Sequence, residues 1–411
     1  MSSKNELGLY LYSRTLKEKE DTPIDEYRHG LFVDDQENED IQEDYLFIKE
    51  DCYLFRELND IKVYKSHSEH QANAESIFHV KVKVNDDNNN SKKFQISNPL
   101  FNKYLLYPYI RDINIIKNKL YYVINREHDD DRNGRKNYNE DIKENDDYSL
   151  NKNDIIKIEP MIYIVRELND ENKDKVNDIE FMNKNKNENQ IFDTCTNPKT
   201  LDISNFCEHI VNDLKNIGSS TYEEKKKWIK DRLIHYQSDK VSNYKIKLLK
   251  CEKCKEKNIY PLEFKLPDDE KIHKLIEIEK PRNKNYMRLE SLEQIGKDKN
   301  EEGNELLIKN IHIVELIEEG EKIYIGRRDD TDIKIDNNKV SKYHAVLIYH
   351  NGKVFIKNLS EKMETLVLIK TISQDLEIKD KKEIFLQAGR TLFEAKIMTE
   401  KEYEEIKAQN E

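Results

Sequence analysis

Gly326-Arg327 is followed, fourteen residues after the arginine, by Ser341-Lys342-Tyr343-His344. A guanidinium fork on one loop and a hydroxyl on the next can converge on the oxygens of one phosphate. Charge-assisted bonds from arginine are strong and planar, and a neutral hydroxyl adds geometric selection. The spacing suits two loops at one end of a β-sheet. Arg327 and Ser341 are therefore candidate ligands of a phosphorylated peptide, and the chemistry is recognition rather than bond breaking.

A second cluster sits mid-chain, where Cys195, Cys207, Cys251 and Cys254 are joined by His209 and His235. Cys251-Glu252-Lys253-Cys254 has the spacing at which two thiolates from one turn take adjacent corners of a zinc tetrahedron. Before it, Ser220-Thr221-Tyr222-Glu223 reads as a capping box, and Lys225 to Tyr236 as a helix with Trp228, Ile229, Leu233 and Tyr236 near one face. These six ligands leave room for at most one zinc site, built from Cys195, Cys207 or a histidine with Cys251 and Cys254. The favoured reading is a zinc-free remnant held by its helix and apolar contacts.

The elements that must position the phosphate candidates are strand-like. Ile311-His312-Ile313-Val314, Ala345-Val346-Leu347-Ile348 and Val354-Phe355-Ile356 are apolar runs, and Asn351-Gly352 is a hairpin signal between the last two. Strand patterns also fill Tyr45 to Leu168, where Phe78, Val80, Val82 and Val84 alternate onto one face. Arg56-Glu57-Leu58-Asn59-Asp60 recurs as Arg166-Glu167-Leu168-Asn169-Asp170, which chance explains in a chain this rich in Glu, Asn and Asp.

With 411 residues the chain is long enough for two or three domains. Its mean hydropathy of −0.94 requires long solvated segments, and Glu127 to Asp154 and Asn169 to Gln190 lack hydrophobic period. A formal charge of −12 argues against nonspecific binding to nucleic acid or to an anionic membrane. No apolar stretch approaches membrane-spanning length and no signal-like core opens the chain, so an intracellular protein is expected. Five cysteines with one Cys-x-x-Cys fit a reducing compartment. No Walker loop, Gly-x-Ser-x-Gly elbow, His-Glu-x-x-His or kinase set is present, so no enzyme is expected.

The Gly-Arg and Ser-Lys-x-His pair resembles the forkhead-associated (FHA) family, over roughly Ile311 to Met398. The resemblance implies a β-sandwich in which Arg327 and Ser341 bind phosphothreonine, Lys342 flanks it, and Gly326 and His344 support the loops. It also implies a third loop with an Asn-Gly turn. Here Met363 stands at the asparagine and Glu364 at the glycine. A carboxylate there opposes phosphate, and Lys362 would offset it. Asn153 to Val165 looks like the late strands of such a sandwich. The mid-chain cluster resembles the rear half of a RING-CH finger, but two complete zinc sites need eight ligands, and the chain as a whole resembles ciliate proteins joining RING-CH to FHA.

The expected architecture is multidomain and mainly β, with a small helical, zinc-finger-like middle module. It comprises an acidic disordered arm (1–40), an N-terminal β-rich domain (41–170), a polar linker (171–193), a degenerate RING-CH-like module (194–266), a linker (267–303), an FHA domain (304–400) and a tail (401–411). The expected role is a non-enzymatic interaction protein that docks a phosphothreonine-containing partner. The alternatives are a RING-CH-type ubiquitin ligase and a structural subunit of a larger assembly.

Overall fold

The computed structural model of the chain describes residues 6–16, 41–57, 60–65, 75–84, 92–97, 120–124, 148–158, 161–169, 201–202, 233–248, 263–265, 272–274, 284–295, 306–316, 318–360, 364–369, 376–378, 383–388 and 391–410, with isolated positions between 208 and 281. In chain order the first strands are β1 (Leu7–Leu16), β2 (Ile41–Ile48), β3 (Cys52–Glu57), β4 (Asp60–Tyr64), β5 (Glu75–Val84), β6 (Lys92–Ser97) and β7 (Leu120–Val123). Next come β8 (Tyr148–Ser149), β9 (Ile155–Ile158), β10 (Met161–Asn169), β11 (Leu201–Asp202), β12 (Leu233–Gln237), β13 (Val241–Leu248), β14 (Glu263–Lys265) and β15 (Ile272–Lys274). The series continues with β16 (Tyr286–Ile295), β17 (Leu306–Glu315), β18 (Lys322–Gly326), β19 (Ile333–Lys334), β20 (Ala345–His350) and β21 (Lys353–Asn358). Last are β22 (Leu366–Leu368), β23 (Leu376–Ile378), β24 (Ile384–Ala388), β25 (Thr391–Thr399) and helix α1 (Glu400–Asn410). The protein is mainly β.

Two compact units form, one from residues 1–105, 112–136 and 360–411, the other from residues 106–111 and 137–359. In the first unit hydrogen-bonded neighbours run β22-β7-β24-β25-β1-β2 in one sheet and β23-β6-β5-β3-β4 in the other. Alternation along β5 sends Phe78 and Val80 inward while Lys81 stays exposed. Phe78 meets Phe393 edge to face at 5.2 Å, with Leu9, Leu11, Leu54, Phe55 and Phe94 also fully buried in this unit. Helix α1 starts in a capping box: Thr399 N–H and Oγ1 donate to Glu402 Oε2 at 2.7 and 2.8 Å, and Glu402 N–H donates to Thr399 Oγ1 at 3.3 Å. Tyr403 then stacks on Phe47 at 5.0 Å.

In the second unit one sheet runs β12-β13-β17-β16-β10-β9 and the other β19-β18-β20-β21-β8. The β20–β21 turn is Asn351-Gly352, with φ of 50° and 72°, the left-handed pair that a two-residue hairpin needs. Met287, Leu289, Ile311, Ile313, Ile323, Ile325 and Leu347 are buried. Within this apolar core His312 Nδ1 lies 2.6 Å from Asn243 Oδ1, and burial pushes the imidazole pKa down to about 3.

Several expectations from composition are revised. Leu7–Leu16, inside the segment read as an acidic arm, is a central strand with Leu9 and Leu11 fully buried. Tyr286–Ile295, inside the segment read as a linker, is likewise a central strand. The capping box is Thr221 to Glu224, one residue later than read, with Glu224 Oε2 accepting from Thr221 N–H at 2.8 Å and its carboxyl held below the usual range by those bonds. The helix expected to reach Tyr236 does not, because Leu233–Gln237 is the edge strand β12, turned through Ser238 into β13. There His235 stacks on Tyr244 at 4.4 Å. Among the described residues no helix is long and apolar enough to cross a membrane.

Two outcomes follow. Phe393→Ala should cost roughly 3–5 kcal/mol, read as a lower urea midpoint. His312 should make the fold acid-sensitive: below about pH 6.5 the unfolded chain takes up a proton that the folded imidazole refuses until about pH 3. Stability should therefore fall as pH drops through that window, and His312→Gln should flatten the fall in urea midpoints measured at pH 7.5 and 5.

Candidate functional site

The candidate site is the end of the second unit where β18 and β20 begin and end their pairing. Ile325 is the last residue of β18 paired to β20, through Ala345, and His344 N–H donates to Ile325 O at 2.8 Å. Beyond that point the chain opens into two loops, Arg327 to Asp332 and Ile335 to Tyr343. Arg327 N–H donates to Ser341 O at 3.1 Å, and Arg328 N–H to Lys342 O at 3.4 Å, so the two loops are stitched backbone to backbone. Arg327 and Ser341 are thereby neighbours across the seam, with Lys342 next to Ser341.

Gly326 permits this approach. A Cβ at position 326 would lie 2.2 Å from the Lys342 carbonyl oxygen and 2.9 Å from its carbon, both backbone atoms that cannot swing away. His344 is fully buried beneath the loops, and its carbonyl accepts from Leu359 N–H at 2.8 Å, tying the second loop to the end of β21. Thr331, also buried, closes the first loop on itself through Oγ1, which donates to Gly326 O at 3.2 Å and Arg328 O at 2.7 Å.

Charge is distributed unequally between the two arginines. Arg328 pairs with Asp330 at 2.8 Å and lies over the Tyr343 ring, its Cζ 5.2 Å from the centroid, while the Tyr343 hydroxyl donates to the same Asp330 at 2.9 Å. Lys334 bridges Asp329 at 2.7 Å and Asp336 at 2.9 Å, which raises its own pKa and lowers that of Asp329. Arg327 and Lys342 are exposed and have no ion-pair partner among the described residues. Among the described residues these two cations are without an ion-pair partner and lie on either side of Ser341, the kind of charge a dianionic group would need.

Residues 323–386 match the FHA domain family. The chain carries an FHA domain. No match is found among curated proteins or among solved structures. The FHA match begins in the second unit and ends in the first, since residues 323–359 belong to one and 360–386 to the other. FHA domains are phosphoprotein-interaction modules, and the match supports a protein-interaction role for this part of the chain. Of the residues expected for the site, Gly326, Arg327, Ser341, Lys342 and His344 fall on the paired loops or directly under them. In the third FHA loop Ser360 and Thr365 are buried and Glu364 is partly buried, while Lys362 and Met363 lie outside the described residues.

Sequence reading missed Thr331 and the Arg328–Asp330–Tyr343 group. The adjacent Arg327-Arg328 pair, with an acid two residues on, was the available signal that one arginine would be neutralised. Cys195, Cys207, Cys251 and Cys254 lie outside the described residues, and among the described residues no group of three or more His, Cys, Asp or Glu is placed to hold a metal ion.

Gly326→Ala should separate the two loops. The expected result is a loss of stability of roughly 1–3 kcal/mol, read by denaturant titration, with weakened capture of any phosphorylated ligand.

Proposed function

We propose that the chain is a non-enzymatic, intracellular interaction protein whose FHA domain docks a phosphothreonine-containing protein segment. The observation that carries this reading is the contrast between neighbouring arginines. Arg328 is held by Asp330 and Tyr343, whereas Arg327 is exposed and its backbone is bonded to Ser341, next to Lys342, on loops that Gly326 lets approach. A phosphate bound there would gain two charge-assisted partners and one hydroxyl, and the backbone seam spares it the cost of ordering the loops. No step of covalent chemistry is required of these residues.

The test uses the full chain, a degenerate phosphothreonine peptide library and its unphosphorylated counterpart. Phosphate-dependent capture is expected, and Arg327→Ala should weaken it roughly tenfold to a hundredfold, the worth of a hydrogen bond to a charged group, without shifting the unfolding midpoint. Equal capture of the two libraries would contradict the reading and favour a structural subunit whose FHA domain binds through a surface other than the phosphate cradle.

A further inference from the structure

Most of the topology of the two units repeats, apart from β4, antiparallel on β3 where β19 is parallel on β18, and apart from β7 and β22, which belong to the first unit. In the first, β1 to β6 are completed by β23, β24 and β25. In the second, β16 to β21 are completed by β8, β9 and β10. The matching is strand by strand: β1–β2 corresponds to β16–β17, β3–β5–β6 to β18–β20–β21, β6–β23 to β21–β8, and β25 on β1 to β10 on β16, every pair antiparallel. The hairpins β24–β25 and β9–β10 also share a two-residue link, Ala388 pairing Thr391 and Ile158 pairing Met161. Along the sequence, however, β8 to β10 follow the strands of the first unit and β23 to β25 follow those of the second. Each sandwich is closed by the three-strand cassette that the other half of the chain supplies.

We infer that this chain is a tandem repeat of one sandwich whose halves reciprocally exchange their last three strands, so that the N-terminal half is a built part of the unit bearing the phosphate cradle. The two cassettes pair in the same way but differ in sequence, so the side chains that meet across each ladder distinguish the two pairings, and charge is the clearest difference. Counting from the shared link, Glu394 corresponds to Ile164, Ala395 to Val165 and, past the β10 bulge at Arg166, Lys396 to Glu167.

In the exchanged arrangement these positions are satisfied. Glu167 accepts from Arg288 Nη1 at 3.4 Å and from the Tyr286 hydroxyl at 2.7 Å, and Arg166 Nε lies 3.4 Å from Glu290 Oε2, which also pairs with Arg288. Lys396 sits 5.4 Å from the Tyr10 ring centroid. Closure of each half on itself would lay β25 on β16, setting Glu394 opposite Glu290 and Lys396 opposite Arg288. Like charges directly opposed on a ladder are destabilising, more so when buried, as Glu290 and Arg288 are. The same closure would lay β10 on β1, where Tyr10 and Tyr12 stand in the places of Arg288 and Glu290 and leave Glu167 and Arg166 without their present counter-ions. Lys396 also pairs with Glu383 at 2.9 Å and Glu394 at 3.3 Å, on or beside its own hairpin, so the charge preference for exchange rests chiefly on Arg166 and Glu167.

The test needs no phosphorylated ligand, so it fails or succeeds separately from the binding reading. On the native full chain, a carbodiimide should join Lys49 to Glu400, 2.7 Å apart although one follows β2 and the other β25. A disulfide should likewise form between Tyr12→Cys and Glu394→Cys, opposed in the β1–β25 register. Both links, mapped by peptide mass spectrometry in species that run as one chain, are the expected result. Absence of both links in folded protein, or their appearance only between two chains, would overturn the intrachain exchange.

Discussion

The pairing of β10 with β16 underlies the rest of the structure. It joins strands separated by more than a hundred residues of sequence and is held by a set of four charges, Arg166, Arg288 and Glu290 buried and Glu167 partly so. Charges removed from water must be matched closely or they cost more than they return. Here the matching makes the register specific. Val165 faces Leu289 in the core only while Glu167 faces Arg288 at the next ladder position. Asn243 of β13, in the sheet carrying β16, donates through Nδ2 to Asp332 O at 3.3 Å, at the end of the first of the two loops between β18 and β20.

At the cradle itself the controlling constraint is steric. One glycine lets two backbones approach closely enough to exchange hydrogen bonds, and every other feature of the site follows from that seam. Arg327 is aligned with Ser341, Lys342 falls beside it, and Arg328 is turned aside to Asp330 and Tyr343. The site is therefore organised before any ligand arrives. The nearby carboxylates of Asp329, Asp330 and Asp336 are engaged by Lys334 and Arg328, which is the electrostatic basis of the proposed selection for an anionic ligand.

What the sequence reveals about this protein divides along local and non-local physics. Gly326-Arg327, Ser341 to His344 and Asn351-Gly352 act over a few residues, and their roles in turns and close approaches are visible in one dimension. The alternation of Phe78 and Val80 is equally local. The partner of β10 is not, since nothing near Met161 to Asn169 names Tyr286 to Ile295 as its neighbour. Leu7 to Leu16 escaped notice because an acidic run downstream dominates the composition of the first forty residues, and Leu233 to Tyr236 because its apolar spacing also suits a helix. The repeated Arg-Glu-Leu-Asn-Asp pentapeptide illustrates the converse. Its copies start at the ends of β3 and β10, strands that do not correspond in the repeated topology.

The most direct measurement is methyl-resolved NMR on the full chain with labelled alanine, leucine and valine. Four buried methyl-bearing residues occupy equivalent ladder positions, Leu289 opposite Val165 and Leu11 opposite Ala395. The account predicts through-space contacts within those two pairs. Contacts of Leu289 with Ala395 and of Leu11 with Val165 would instead show each half closed on its own strands, and would contradict it.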